Sequence, residues 1–564
     1  MTYTINRVQS DSNDNIFLYE KDGKKVPLNS LYSPKIEAER FLQKISALEK
    51  HFIIIIGYGN GEVLEQLLNS DVYKNNTHFL FIEPYYEVKC SDSHQSTFNN
   101  NPTKLSFIYY KDLNSTIFAR FLSQLIGVPA SIQIHPNYLK TDELAIKNCL
   151  QIINEGIKTQ HIINSTEVKF AVDWIVEPLL NIDSIAKSLN IVNLKGKFKG
   201  ERAALIASGP SLKVHMDFLE QNKGLFHIFS AGSALKALLV NGIEPDYVLS
   251  LDSSDVNYES HFKGVDYNGT LIFETMSNSN IQKQHRGPLI VSRNNSDYIT
   301  SQNFINLHSF HQSSPSVTIF ALQVIEYLGF SEVFLVGQDL ALVNGDYYAA
   351  DVTHHEAMKN QSDDMKIVNN IGEEVGTTRS LKIFLDIFEA VIETLPKEMT
   401  VFNLSKFGAK IEGAIFVEVS DIVLKDSIKS KIEISNEVVI DFVDQDAMIK
   451  DFIRKIVAIK SDVIEAREGL HMLYKKSLVT TKDMEKVVKG FRKIAQHTIL
   501  EEVILSNLTF VFNRIVNKFN SFDLKKNYSS KDHILLIEEL DKFYNVVIEY
   551  TSELMADKRL NPYK

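Results

Sequence analysis

The sequence predicts an α/β protein in three parts: a Rossmann-like N-terminal domain, a doubly wound central domain and an all-helical C-terminal domain. Three observations predict it. Short apolar runs end on glycine-bearing turns and pass into helical spacing, first near residue 52 and again from residue 203. Beyond about residue 425 apolar residues keep helical spacing, with no proline until Pro562. The length, 564 residues, exceeds what one core sustains.

The first domain is expected over 1–163. Phe52-Ile53-Ile54-Ile55-Ile56 reads as a buried strand and Gly57-Tyr58-Gly59-Asn60-Gly61 as a turn. Glu62 to Leu68 reads as a helix, and Phe79 to Ile82, ending at Glu83, as a second strand. Together they make a βαβ unit with a parallel sheet. The central domain is expected over 164–424. Its strands are Ala203–Ala207, Phe226–Ser230, Tyr247–Leu251, Leu271–Phe273 and Val333–Val336, alternating with helices. The third domain, 425–564, carries three apolar stripes. These are Ile449, Phe452, Ile453, Ile456 and Val457; Ile504, Leu508, Val511, Ile515 and Phe519; and Leu536, Leu540, Phe543 and Val547. They read as core packing of a helical bundle.

Candidate chemistry sits where strands end. Ser208-Gly209-Pro210-Ser211-Leu212 follows a strand and opens a helix. Glycine lets the backbone turn without a β-carbon, proline suits a first helical turn, and either serine can cap it. The turn is a phosphate cradle or a plain capped turn. Asp252 ends a buried strand at the edge where open α/β sheets bind ligands; it holds a hydroxyl or a metal, or caps a helix. Ser233 and Thr275 follow other strands and line that edge or act as turn residues. Gln338 and Asp339 end another strand, and Thr353-His354-His355 lies downstream, where a histidine is a natural general base or a surface loop residue. Ser316 precedes a helical run, as a cap or a further anion cradle. Gly57-x-Gly59-x-Gly61 with Glu83 reads as a dinucleotide or S-adenosylmethionine fingerprint, or as a degenerate scaffold.

Composition narrows the class. Hydrophobic residues make up 44% and charged residues 23%, as in soluble globular proteins. A net charge of -11 argues against nonspecific nucleic-acid binding. Two cysteines, Cys90 and Cys149, form no disulfide framework, and tandem histidines without acidic or cysteine spacing are a poor metal motif, so no metal ligands are assigned. The polar start of the chain and its short apolar runs predict a cytoplasmic protein that meets no membrane.

The central motifs, taken together, resemble the Maf family, the motility accessory factors that glycosylate flagellin. Ser208-Gly209-Pro210-Ser211-Leu212, Gly242-Ile243-Glu244-Pro245-Asp246 through Leu251-Asp252, Ser316-Val317, Gly337-Gln338-Asp339-Leu340 with Thr353-His354, and Asn403-Leu404-Ser405 through Glu412-Gly413 carry the resemblance in order and spacing. The segment between Gly345 and Thr353 is longer than the family spacing. The resemblance implies a sialyltransferase-like central domain and a CMP-activated nonulosonic acid, pseudaminic or legionaminic, as co-substrate. It implies Ser or Thr of flagellin as acceptor, in service of motility. No further cofactor is implied, and the need for a divalent metal is left open. On this reading Asp252, Asp339 and His354 are catalytic, and Ser208, Gly209, Pro210, Ser211, Ser233, Thr275, Ser316 and Gln338 bind the donor. The helix start at Gly209–Leu212 would take the departing phosphate. The central domain is also similar to a pterin pyrophosphokinase group, so the rival readings are an ATP-dependent pyrophosphokinase, a noncatalytic flagellin chaperone and a methyltransferase.

Overall fold

The computed structural model describes residues 3–125, 128–304, 306–310, 315–343, 345–346, 365–422, 424, 429–430, 443–474, 476, 479–500, 504 and 530–564. The described residues divide into two compact units, one within 1–164 and the other within 165–564.

The first unit opens with an antiparallel meander of β1 (Thr4–Gln9), β2 (Asn15–Lys21) and β3 (Lys24–Pro27). A four-stranded parallel sheet follows, built from β4 (Phe52–Ile56), β5 (His78–Glu83), β6 (Leu105–Tyr109) and β7 (Ala130–Ile134). Its order is β6-β5-β4-β7, so the chain steps outward twice and returns beside β4. The unbroken isoleucine run of β4 is buried on both faces, as a central parallel strand requires. The reversal puts the Gly57–Gly61 turn at the switch point of the sheet.

The second unit is built on nine strands: β8 (Leu189–Asn190), β9 (Arg202–Ile206), β10 (His227–Ala231), β11 (Tyr247–Ser250), β12 (Thr270–Glu274), β13 (Leu289–Ser292), β14 (Glu332–Val336), then, past an antiparallel hairpin of β15 (Met365–Val368) and β16 (Glu374–Thr377), β17 (Thr400–Asn403) and β18 (Ile415–Phe416). The order is β18-β17-β14-β9-β10-β11-β12-β13-β8, with every pair parallel. From β9 the chain walks to β13, then crosses back to place β14 on the other side of β9. The switch point of this sheet therefore lies between the carboxyl ends of β9 and β14, where such folds open a ligand crevice.

The helix Val317–Leu328 feeds β14. It is apolar nearly all round, and its Ile319, Phe320, Leu322 and Ile325 are buried in the unit's largest core. Among the described residues the C-terminal helices are Gln445–Tyr474, Thr481–Ala495 and Ser530–Ala556. Ile449, Phe452, Ile453 and Ile456 are buried on the first, and Leu536, Leu540, Phe543 and Val547 on the last. Val457 points out and is half exposed. Ile504 is buried, whereas Leu508, Val511, Ile515 and Phe519 lie outside the described residues. The mixed α/β class, the Rossmann-like sheets and the helical C-terminal region are those the sequence predicts. Among the described residues no helix is long and apolar enough to cross a membrane.

Candidate functional site

A cavity of about 160 Å³ opens at the switch point of the second unit. Three strand ends supply Ser208 and Gly209 after β9, Ala231 at the end of β10 with Ser233 beyond it, and Gly337, Gln338 and Asp339 after β14. Two helices begin at it. Gly232–Val240 starts from Ala231 with no side chain capping its first amides. Val317–Leu328 starts from Ser316, whose Oγ accepts the Thr318 N–H at 3.4 Å. Helix starts present unpaired N–H groups and the positive end of the macrodipole, so two of them bordering one cavity favour an anion. Hydroxyls crowd the same space: Ser208 and Ser233 meet Oγ to Oγ at 2.9 Å, and Ser316 and Thr318 at 3.1 Å. Leu381 and Phe384, from the helix Arg379–Thr394, form an apolar wall.

Asp339 is the one carboxylate among the described residues that line this cavity. It is 3% exposed, and burial raises its carboxyl above the ordinary range while Ser405 and Ser211 pull it back. Its Oδ2 accepts the Ser211 N–H at 2.8 Å, and its Oδ1 accepts the Ser405 hydroxyl. His215, buried beside it and held below its ordinary value by that burial, turns Nδ1 to the Ser211 carbonyl at 2.8 Å.

This arrangement changes the role of the Ser208–Leu212 turn. The Gly209 amide donates to the Gly337 carbonyl, Pro210 has no N–H, the Ser211 amide is spent on Asp339, and the Leu212 amide returns to Gly209. The phosphate cradle expected at Gly209–Leu212 is therefore closed: an internal carboxylate already sits there and repels a second anion. Of the two helix starts at the cavity, the one at Gly232 has no side-chain cap, while the one at Val317 has its Thr318 amide on the Ser316 hydroxyl and its Ile319 and Phe320 amides on the Ser316 carbonyl.

The structure brings Ser208, Gly209, Ser233, Ser316, Gln338 and Asp339 together at one cavity. Pro210 and Ser211 form the turn behind it. Asp252 does not line it. Its side chain is exposed at the end of β11, and its Oδ1 accepts the Ser254 N–H at 2.8 Å in a turn that leads into a short helix capped by Ser254 and not by Asp252. Thr275 is wholly buried, with its carbonyl held by Asn181 Nδ2 at 3.0 Å. His354 lies outside the described residues. The sequence reading passed over Leu381 and Phe384. Their i, i+3 spacing marks a buried helix face, and nothing local ties that face to the strand ends it meets.

The glycine turn of the first unit is filled from within. Glu83, fully buried, accepts the Tyr58 N–H (2.9 Å) and the Tyr138 hydroxyl (2.7 Å) on Oε2, and the Tyr85 N–H (2.9 Å) on Oε1. The Gly59 amide reaches the Tyr138 hydroxyl at 2.9 Å, and the Asn60 amide reaches Asn29 Oδ1 at 2.9 Å. A β-carbon at Gly57 would strike the Tyr138 ring at 2.6 Å, and one at Gly59 the Asn29 side chain at 2.5 Å. These glycines admit the protein's own side chains where a dinucleotide fold admits a pyrophosphate, which favours the degenerate-scaffold reading.

A family model described as 6-hydroxymethylpterin diphosphokinase MptE-like matches residues 177–345. An uncharacterized protein of Treponema pallidum (strain Nichols) is 23% identical over 108 residues, 19% of this chain; the match spans about half of that curated relative, 49% of its length. The sialyltransferase CstII from Campylobacter jejuni, solved with the substrate analogue cytidine-5'-monophosphate, aligns over 43% of this chain and 96% of its own at 14% identity, with a TM-score of 0.20, too low to carry an argument. A Maf glycosyltransferase from Magnetospirillum magneticum AMB-1 aligns over 99% of this chain and 94% of its own, at 15% identity and a TM-score of 0.51. The chain thus has, over its whole length, the fold of a Maf glycosyltransferase, with an MptE-like segment at its centre.

Proposed function

We propose that this chain is a glycosyltransferase that moves a nonulosonic acid from a CMP donor onto a Ser or Thr hydroxyl of flagellin. The observation that carries the reading is the cavity at the β9/β14 switch point, where two helix starts and a ring of hydroxyls border a single buried carboxylate. The Maf fold and the motifs of the central domain supply the choice of chemistry. The cavity volume suits a phosphate with part of a sugar ring, so the rest of the donor extends beyond it. The departing phosphate meets the amides at Gly232 and Val317 and the hydroxyls of Ser233, Ser316 and Thr318. CMP is a good leaving group and needs charge stabilisation more than a strong acid. Asp339 faces the positive charge that grows at the anomeric carbon. The acceptor oxygen forms the new bond to that carbon as the bond to phosphate breaks, its proton passing to a base. His354 is the proposed base, and the displacement inverts the centre.

The MptE-like match favours one rival, an ATP-dependent pterin diphosphokinase, and a single pair of titrations separates the two. Calorimetry with CMP, and in parallel with ATP and Mg²⁺, should show CMP binding that Ser233→Trp abolishes by filling the cavity. Binding of ATP with Mg²⁺ and none of CMP would move the assignment to the diphosphokinase. CMP binding untouched by Ser233→Trp would place the donor elsewhere.

A further inference from the structure

Ser405 lies in the Asn403–Glu412 stretch that the sequence singles out and the mechanism above leaves unused. It is wholly buried, on the loop that leaves β17. Its hydroxyl donates to Asp339 Oδ1 and accepts the Gly408 N–H at 3.1 Å. The loop is itself tied down: Asn403 Oδ1 accepts the Ser405 N–H at 3.0 Å, and Asn370 Nδ2 donates to the Ser405 carbonyl at 2.7 Å. It grips the backbone of Asp339 as well. The Ala409 amide donates to the Asp339 carbonyl at 2.7 Å, and a β-carbon at Gly408 would strike the Asp339 Cα at 2.8 Å.

We infer that Ser405 is a positioning residue for the proposed transfer, holding the Asp339 carboxylate in one orientation before the donor arrives. The inference rests on the transferase reading for its kinetic arm. Three further facts support it. Leu340, next in the chain, is held at φ +50°, a left-handed conformation that a branched residue adopts only when its surroundings impose it. Thr377 imposes it from β16, its hydroxyl donating to the Leu340 carbonyl at 3.0 Å. Ser211 fixes the other carboxylate oxygen, so both oxygens are anchored from behind and the group cannot rotate to follow a ligand. Among the described residues, His215 on the 210–215 turn is the charged group that acts on Asp339; Lys406, on the Ser405 loop, is exposed and paired with Glu418 at 2.7 Å.

The test uses the full chain and three variants, Ser405→Ala, Asp339→Asn and the double. Positioning through Asp339 predicts that Ser405→Ala lowers kcat about tenfold or more with the donor KM within about twofold. The acidic limb of the pH profile moves up by about one pH unit, because a donor to the ionised carboxylate is gone. The double variant is no slower than Asp339→Asn alone. Ser405→Cys, similar in size with a weak donor, falls between and serves if the alanine variant does not fold. A merely structural role would lower the melting temperature and leave kcat, the pH profile and the double-mutant cycle multiplicative; that result overturns the inference. If the wild type turns over no CMP-activated nonulosonate, the transferase reading fails instead. The inference is then judged by ¹³C carboxyl titration of Asp339, which must shift upward in Ser405→Ala and overturns the inference if it stays put.

Discussion

Glu83 is a carboxyl placed where a nucleotide-binding fold would hold its ligand. Burial pushes it up to about 7, against an ordinary value of 4.5, even with four donors directed at it. The folded state therefore holds a proton that the unfolded state releases near pH 4.5. Its contribution to stability is complete below that value and is lost as pH rises to about 7, by about 3 kcal/mol at the outside. Amide hydrogen exchange over Gly57–Gly61 should therefore be slower at pH 5 than at pH 7.5 once the intrinsic exchange rates are divided out. Glu83→Gln should flatten the difference. Protection that rises with pH in the wild type would show that the four donors outweigh burial. At the same scale, Asp339 lines an open cavity whereas Glu83 is closed in by the protein's own tyrosines, which is why the first is read as facing a ligand and the second as a plug.

The helix Val317–Leu328 shows how one element divides its work between its ends. Ser316 caps the start and lines the cavity, while Gly329 ends it at φ +94°, where a β-carbon would come within 2.9 Å of the Gly196 α-carbon. Ser316→Ala should weaken CMP binding several-fold and cost about 1 kcal/mol for the cap. Gly329→Ala should cost about 1–2 kcal/mol for the left-handed turn and the displaced backbone, leaving CMP affinity unchanged. Calorimetry and thermal melts on both variants check this; equal effects on affinity would mean that the two ends are not separable. Elements of this kind were legible in the sequence because their signals are local. The isoleucine run of β4, the Ser-Gly-Pro-Ser turn after β9 and the Gln338-Asp339 strand end all announce themselves within a few residues. What fills the first crevice and what holds the carboxylate of the second were not legible. Tyr138 and Asn29 reach the Gly57–Gly61 turn from distant positions, and Ser405 reaches Asp339 across 66 residues. Such pairings follow from the strand order, which no local pattern encodes. The short edge strands β8 and β18 and the hairpin β15–β16 carry too few alternating residues to signal themselves.

At the scale of the second unit, its last residues are bound back to the helix Asp173–Leu180 near its start. Arg559 donates to Glu177 Oε1 at 2.7 Å and to Asp173 at 2.6 Å, and pairs with Asp557 at 2.7 Å. Glu177 is fully buried, and its other oxygen accepts the Ser279 N–H at 2.6 Å, the start of the helix after β12. Asn278, beside that serine, donates its amide to the Asp252 carbonyl at 3.1 Å. One guanidinium thus supports a path from the C-terminal tail to the carboxyl edge of the sheet. Burial raises both Glu177 and Asp173, so removing the cation leaves carboxylates with little to hold them. Arg559→Ala should cost about 3–5 kcal/mol in urea unfolding at pH 8, the usual loss for breaking a buried pair from one side. Arg559→Lys should recover only part of it, because an ammonium cannot serve three carboxylates in fork geometry. The alanine deficit should shrink toward pH 5. With the cation gone the folded-state carboxyls rise further, take up protons as pH falls, and stop being buried charges. Adding Glu177→Gln to Arg559→Ala should likewise restore stability at pH 8. A deficit that is small, or that does not change with pH, would mean that the tail is held by the apolar stripe of Ser530–Ala556 alone, with the ion cluster contributing nothing.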